Sequence, residues 1–189
     1  MAISTKLEAF IKASGVKYTV AKHPVVYTAQ EIAAAGHIPG RQLAKSVLVK
    51  TDRGFALAVL PAIHLINLKK LRSILGAKSL SIAKESDIKS QFPDVEVGAM
   101  SPFGNLYEVP VVADTFLRDS EDITFNAGSH TDTITLRYSD FVSLVKPKTV
   151  NFGEPIGGPA PKKKAVQPKR AKKSTRKRTS RSRPKKRSP

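Results

Sequence analysis

Residues 43–61 read LAKSVLVKTDRGFALAVLP, and this stretch decides the class of fold. Two β-rich runs, KSVLVKT (45–51) and GFALAVLP (54–61), meet at Asp52-Arg53-Gly54. Asp and Gly supply the tight-turn backbone that joins antiparallel strands, so the stretch predicts a hairpin. A hairpin set among helical segments favours a mixed α+β sheet over a doubly wound parallel one. One residue sits awkwardly in the pattern. Lys45 stands at the mouth of the apolar run Val47, Leu48 and Val49, although lysine is seldom buried without a partner.

Outward from the hairpin, helical and strand patterns are interspersed. Residues 4–14 place Leu7, Phe10 and Ile11 on one helical face, with Gly15 as the stop. Residues 16–23 alternate Val16, Tyr18 and Val20 with polar neighbours, as a strand does. Thr28-Ala29-Gln30-Glu31 has the form of a capping box that opens a short helix ending near Gly36. Asn67 is placed to cap a helix through Leu68, Leu71, Ile74 and Leu75. A strand near 80–82 and a helix near 84–92 follow. VPVVAD (109–114), DITFNAG (122–128) and DTITLRY (132–138) are three further strand candidates, and Ser139 is expected to cap a closing helix, DFVSLV (140–145). From Lys146 onward Pro, Gly and then Lys and Arg replace any periodicity.

The expected product is a single compact α+β domain with a mixed sheet, residues 1–152, followed by a disordered basic tail, residues 153–189. The 189 residues, 40% of them hydrophobic, suffice for one such core. The formal charge of +18 is concentrated in the tail. Residues 162–189 hold 15 of the 33 Lys and Arg and no acid, which leaves 18 basic against 15 acidic residues elsewhere. Such asymmetry points to a polyanionic partner, most simply nucleic acid. With no apolar face and mutually repelling charges, the tail is expected to be disordered when free. Its candidate phosphate contacts are Lys162, Lys163, Lys164, Lys169, Arg170, Lys172, Lys173, Arg176, Lys177 and Arg178, and a solubilising extension is the plain alternative. It has no aromatic residue, so phosphate contact by counterion release, not base stacking, is its physical competence.

Much chemistry is excluded. The chain has no cysteine, which removes disulfides, thiolate metal sites and a Cys nucleophile. It has no Walker loop, no GxGxxG, no HExxH and no GxSxG, and His23, His37, His64 and His130 lack metal-ligand spacing. No metal and no cofactor are expected. Met1–Ser14 carry Lys6, Glu8 and Lys12, and no apolar run approaches the roughly 20 residues that span a bilayer. A soluble, cytoplasmic protein without membrane contact is expected.

What remains is a set of polar residues and glycines at strand ends. Lys45 reads either as a strand-end lysine reaching water or as a purposeful cation. Gly98 and Gly104 flank a loop containing Ser101, Pro102 and Phe103, and Asn126, Gly128 and His130 end another strand. Glycine in such places permits close backbone approach to a ligand, and equally serves a structural turn. Ser101 has no evident partner base, and His64 reads as non-catalytic.

AKSVLVK (44–50), VLPAIHLINL (59–68), GAMSPFGN (98–105) and FNAGSHTDTITLRYSDFVSL (125–144) occur in an order and spacing that resemble the YbaK-type deacylase family. Its domain also occurs as the editing insertion of bacterial prolyl-tRNA synthetases. The resemblance covers about residues 4–150. It implies a compact α+β domain that cleaves the ester of mischarged aminoacyl-tRNA in trans, with Lys45 as the key functional residue. The two glycine loops make Gly98, Ser101, Phe103, Gly104, Asn126, Gly128 and His130 the candidate substrate contacts, and the resemblance places Tyr18, His23 and Thr28 in an early segment that forms one pocket wall, although each also reads as structural. Aminoacyl-tRNA is then the expected partner, and other nucleic acid a further one through the tail. Gly128-Ser129-His130-Thr131 stands where the best-known members carry a more basic segment, so prolyl-, alanyl-, cysteinyl- and seryl/threonyl-type specificities all stay open. The rival reading is a non-catalytic nucleic-acid-binding protein built on a degenerate deacylase scaffold.

Overall fold

The computed structural model describes residues 3–156. Among them are five α-helices: α1 (Thr5–Ser14), α2 (Ala29–Ala35), α3 (Leu68–Leu75), α4 (Glu85–Gln91) and α5 (Tyr138–Val145). The strands are β1 (Tyr18–Lys22), β2 (Ala44–Thr51), β3 (Gly54–Pro61), β4 (His64–Ile66) and β5 (Leu80–Ile82). They continue as β6 (Val111–Asp114), β7 (Asp122–Asn126), β8 (Asp132–Arg137), β9 (Lys148–Val150) and β10 (Gly153–Pro155).

The expected hairpin forms, with β2 and β3 antiparallel and Lys45 opposite Leu60. They lie inside a five-stranded sheet of order β5-β2-β3-β6-β9, in which β6 runs parallel to both β3 and β9. A second sheet has the order β1-β8-β7, and β4 pairs with β10. The sheet is mixed and the class α+β, as the hairpin implied.

Strand β3 explains its own composition. Leu57 and Val59 enter a large core with Leu7, Ile11, Phe103, Phe125, Ile134 and Phe141. Ala56, Ala58 and Leu60 enter a smaller one with Val49, Leu71, Val112 and Phe152. Both faces of the strand are covered, so its sequence is continuously apolar and does not alternate. Buried Asp114 fixes the far end of β6. Its carboxylate accepts the N–H groups of Phe116 (2.9 Å) and Phe152 (2.8 Å), and that of Gly153.

The helix ends follow local chemistry. Gly15 and Gly76 close α1 and α3 in the left-handed conformation, at φ 70° and 60°, where glycine has no Cβ penalty. Thr28 completes its capping box, with its hydroxyl accepting the Glu31 N–H and the Glu31 carboxylate accepting the Thr28 N–H. Asn67 caps α3 by accepting the Lys70 N–H at 2.9 Å.

Ser139 does not cap α5. Strand β8 runs directly into the helix, Arg137 is the N-cap, and Ser139 lies in the first turn. The pairing of Arg137 with Asp122 carries β8 past the expected cap and sets that start. The short strands β4, β9 and β10 were not expected. Strand β10 pairs with β4, so paired strand runs to Pro155. The disordered tail proposed from the sequence lies, beyond residue 156, outside the described residues.

Candidate active site

The two larger sheets approach each other at the N-terminal end of β2. The Thr124 N–H donates to the Gln42 carbonyl at 3.0 Å, and Leu43 bridges Thr124 in parallel. At the other end, the Ala83 N–H donates to the Leu48 carbonyl, and β5 pairs with Val49–Thr51. Between these points residues 44–47 pair with β3 on one side, and among the described residues no strand covers the other. The strand therefore has an open edge in the middle of the fold.

A cavity of about 190 Å³ borders that edge. Five consecutive residues, Leu43 to Val47, line it, with Tyr27, Ile32, Gly98, Met100 and Asn126. A strand normally presents alternate residues to one side. Five in succession reach the cavity because it faces the strand's edge.

Lys45 is half-buried in the wall. Its Nζ donates to the Ala62 carbonyl at 3.3 Å, and Ala62 is itself tied to the strand through its N–H to the Leu43 carbonyl at 2.8 Å. Among the described residues no carboxylate forms an ion pair with it. Burial holds the Lys45 ammonium below the ordinary lysine pKa. Nearby His64, 6% exposed, stacks on Phe116 with ring centroids 4.5 Å apart. Burial pushes its pKa down, the Asp114 carboxylate opposes this, and the Lys45 cation adds to it. His64 is thus neutral at pH 7 and offers Lys45 no charge.

Two polar side-chain atoms of residues in the wall lack partners. Ser46 Oγ and Asn126 Oδ1 are buried without a hydrogen bond. Buried polar atoms are nearly always paired, and these two exceptions belong to residues that line the cavity together with Lys45. No carboxylate or imidazole is among the residues lining the cavity.

A family model described as the aminoacyl-tRNA editing domain matches residues 23–144. The chain belongs to that family. Of its curated relatives, the Multifunctional Ser/Thr-tRNA deacylase ProXp-y of Escherichia coli is 26% identical over 152 residues, covering 78% of this chain and 90% of the relative. The proline-tRNA ligase of Thermosipho africanus is 34% identical over 91 residues, 48% of this chain and 16% of the ligase. The chain thus matches only about a sixth of that ligase's length. A solved structure described as a candidate trans-editing enzyme for prolyl tRNA synthetase superposes with a TM-score of 0.71 at 18% identity, over 81% of this chain and 99% of that one. That likeness is one of fold.

Of the residues the sequence singled out, the editing domain brings Lys45, Gly98 and Asn126 to the cavity. The others are placed elsewhere. Phe103 is fully buried among the rings of Phe10, Phe125 and Phe141. Ser101 is buried, its Oγ 3.5 Å from the Phe103 N–H. Gly104 is packed so closely that a Cβ would stand 2.7 Å from the Val109 carbonyl oxygen. Gly128, at φ 101°, abuts Ser4, and Tyr18 borders a separate hollow with Arg137 and Asp122. Thr28 caps α2. These residues serve packing and turns, and none lines the cavity.

His130 supports the wall from behind. Its backbone N–H donates to the Glu96 carboxylate and its Nε2 to the Val97 carbonyl, both at 2.9 Å. The ring rests beside Gly98, where a Cβ would lie 3.4 Å from His130 Cε1. Sequence reasoning missed Ser46, Tyr27 and Met100. Ser46 was discoverable as the neighbour of Lys45, but period-two alternation assigns the two residues to opposite faces. The ten tail cations proposed as RNA contacts lie outside the described residues.

Proposed function

We infer that this chain hydrolyses the ester bond of mischarged aminoacyl-tRNA in trans. The observation that carries the reading is the half-buried Lys45, without a carboxylate partner among the described residues, in the wall of a small cavity.

An aminoacyl ester is already activated, so the protein need not supply a strong nucleophile. It must hold the 3′ end, fix the carbonyl and admit water, and positioning of that kind lowers a barrier by several kcal/mol. Lys45 is the electrostatic anchor, a compact point charge suited to the ester carbonyl or a terminal phosphate oxygen. Gly98, at φ 91°, brings bare backbone to the cavity wall. Donors aimed at a developing oxyanion are worth roughly 3 kcal/mol each in well-studied hydrolases. Because no carboxylate or imidazole lines the cavity, the vicinal ribose hydroxyl of the substrate is assigned the task of activating water.

The cavity selects small acyl groups. A volume of about 190 Å³ suits a short side chain together with the attacking water. Ile32, Leu43 and Met100 give apolar contact. A Ser/Thr-tRNA deacylase is among the relatives, so seryl and threonyl esters head the candidates, followed by alanyl and prolyl. The basic tail, whose start after the folded domain is itself part of this proposal, tethers the RNA and raises its local concentration at the cavity.

The test is a panel of mischarged tRNAs incubated with the full chain, with release of free amino acid followed in time. Turnover of at least one small-acyl ester is expected. Binding without turnover of any of them would favour the non-catalytic nucleic-acid-binding alternative.

A further inference from the structure

We propose that Tyr27 is a stacking platform for the unpaired terminal base of the RNA strand whose 3′ ester occupies the cavity. This deepens the deacylase reading and rests on it.

Tyr27 is 72% exposed, the most exposed large hydrophobic side chain among the described residues, yet it lines the cavity with Lys45. Its ring is backed on one side. The His130 ring lies 4.9 Å away, centroid to centroid, tilted by 56°. His130 is in turn pinned by its bonds to Glu96 and Val97. The Tyr27 N–H donates to the Glu31 carboxylate at 3.2 Å, the same carboxylate that closes the capping box of α2. The result is an aromatic ring fixed from the chain side and from behind, and open to solvent toward the mouth.

The chemistry of the substrate places a base there. An ester on the terminal ribose carries the acyl group on one side of the sugar and the base on another. With the acyl group inside beside Lys45, the base emerges at the mouth, where Tyr27 stands. Stacking on an aromatic ring tolerates any base, because every base offers a π face. The chain beyond Phe152 has no aromatic residue, so the tail supplies phosphate contacts and leaves stacking to the folded domain.

Two measurements on the full chain test this. In steady-state deacylation, Tyr27→Ala should raise KM about tenfold, the scale of one lost base stack, with kcat within twofold, and Tyr27→Phe should match the parent. An unchanged KM in Tyr27→Ala, or a Tyr27→Phe variant as poor as Ala, overturns the proposal. The second measurement needs no turnover. The chain has no tryptophan, so Tyr27→Trp installs a single reporter at the platform. An RNA minihelix ending in adenosine should quench its emission saturably, and the same minihelix with an abasic 3′ residue should not, although the tail binds both. Equal quenching by the two, or none by either, overturns the platform. Selective quenching without turnover of any ester by the parent leaves the platform standing and defeats the deacylase reading instead.

Discussion

Lys45 carries a charge that its surroundings disfavour. Burial lowers its pKa below the ordinary 10.5, so folding costs most while the ammonium is charged. That cost is present at neutral pH and is relieved as pH rises through the lowered value. Lys45→Met should therefore leave the melting temperature unchanged or raise it while abolishing deacylation, as expected where a site trades stability for function. A thermal melt beside an activity assay checks both halves, and a large loss of stability would show Lys45 to be structural. The same shift has a kinetic signature. If the ammonium anchors the substrate, KM should rise on the alkaline side, starting at lower pH than an exposed lysine would give. Lys45→Arg, whose guanidinium stays charged, should remove that limb even if its overall rate is poor. A limb that survives in the arginine variant would assign it to another group.

At the scale of elements, the cavity borders β2 where, among the described residues, no strand pairs with its second edge along residues 44–47, and the ends of that gap are held by β5, β7 and α2. Helix α2 brings Tyr27 and Ile32 to the wall, and Thr28 secures its start. Thr28→Ala should cost about 1 kcal/mol of stability and raise KM more than it lowers kcat, as read by denaturant titration and steady-state kinetics. Asp114 is less forgiving. Its removal leaves the N–H groups of Phe116, Phe152 and Gly153 without an acceptor, and at 1–3 kcal/mol per orphan Asp114→Ala should lose roughly 3 kcal/mol or more. A loss below about 1 kcal/mol would contradict the role given to it.

These elements were unequally legible in the sequence. The hairpin, the Thr28 capping box, the Asn67 cap and the Gly15 stop could be read because each rests on residues within four positions of one another. Lys45, Gly98 and Asn126 stood out as a lysine at a strand mouth and as glycine and polar residues at strand ends. Tyr27 was not, because a tyrosine before a capping box looks like any helix lead-in, and only the fold sets it beside His130. Phe103 and Gly104 were assigned to substrate because a Gly-Pro loop suggests ligand contact, whereas tertiary packing uses them to close the core. Strands β9 and β10 gave no alternation to detect, since three residues added to an existing edge take their register from the partner strand.

For the whole molecule, the proposed reading divides two kinds of RNA contact between two parts of the chain. Residues 1–161 are nearly neutral, with 18 basic and 15 acidic residues, and residues 162–189 carry 15 cations. No described helix is long and apolar enough to cross a membrane. Deleting residues 162–189 should weaken tRNA binding most at low salt and flatten the dependence of log K on log salt, while turnover at saturating substrate is spared. An unchanged salt slope would remove the tether from the account. The central claim concerns Lys45, and single-turnover deacylation of a mischarged tRNA by the parent and by Lys45→Ala tests it most directly. The account predicts ester cleavage by the parent and none above the uncatalysed rate by Lys45→Ala, with equal RNA binding through the tail. Cleavage at the parental rate by Lys45→Ala would contradict it.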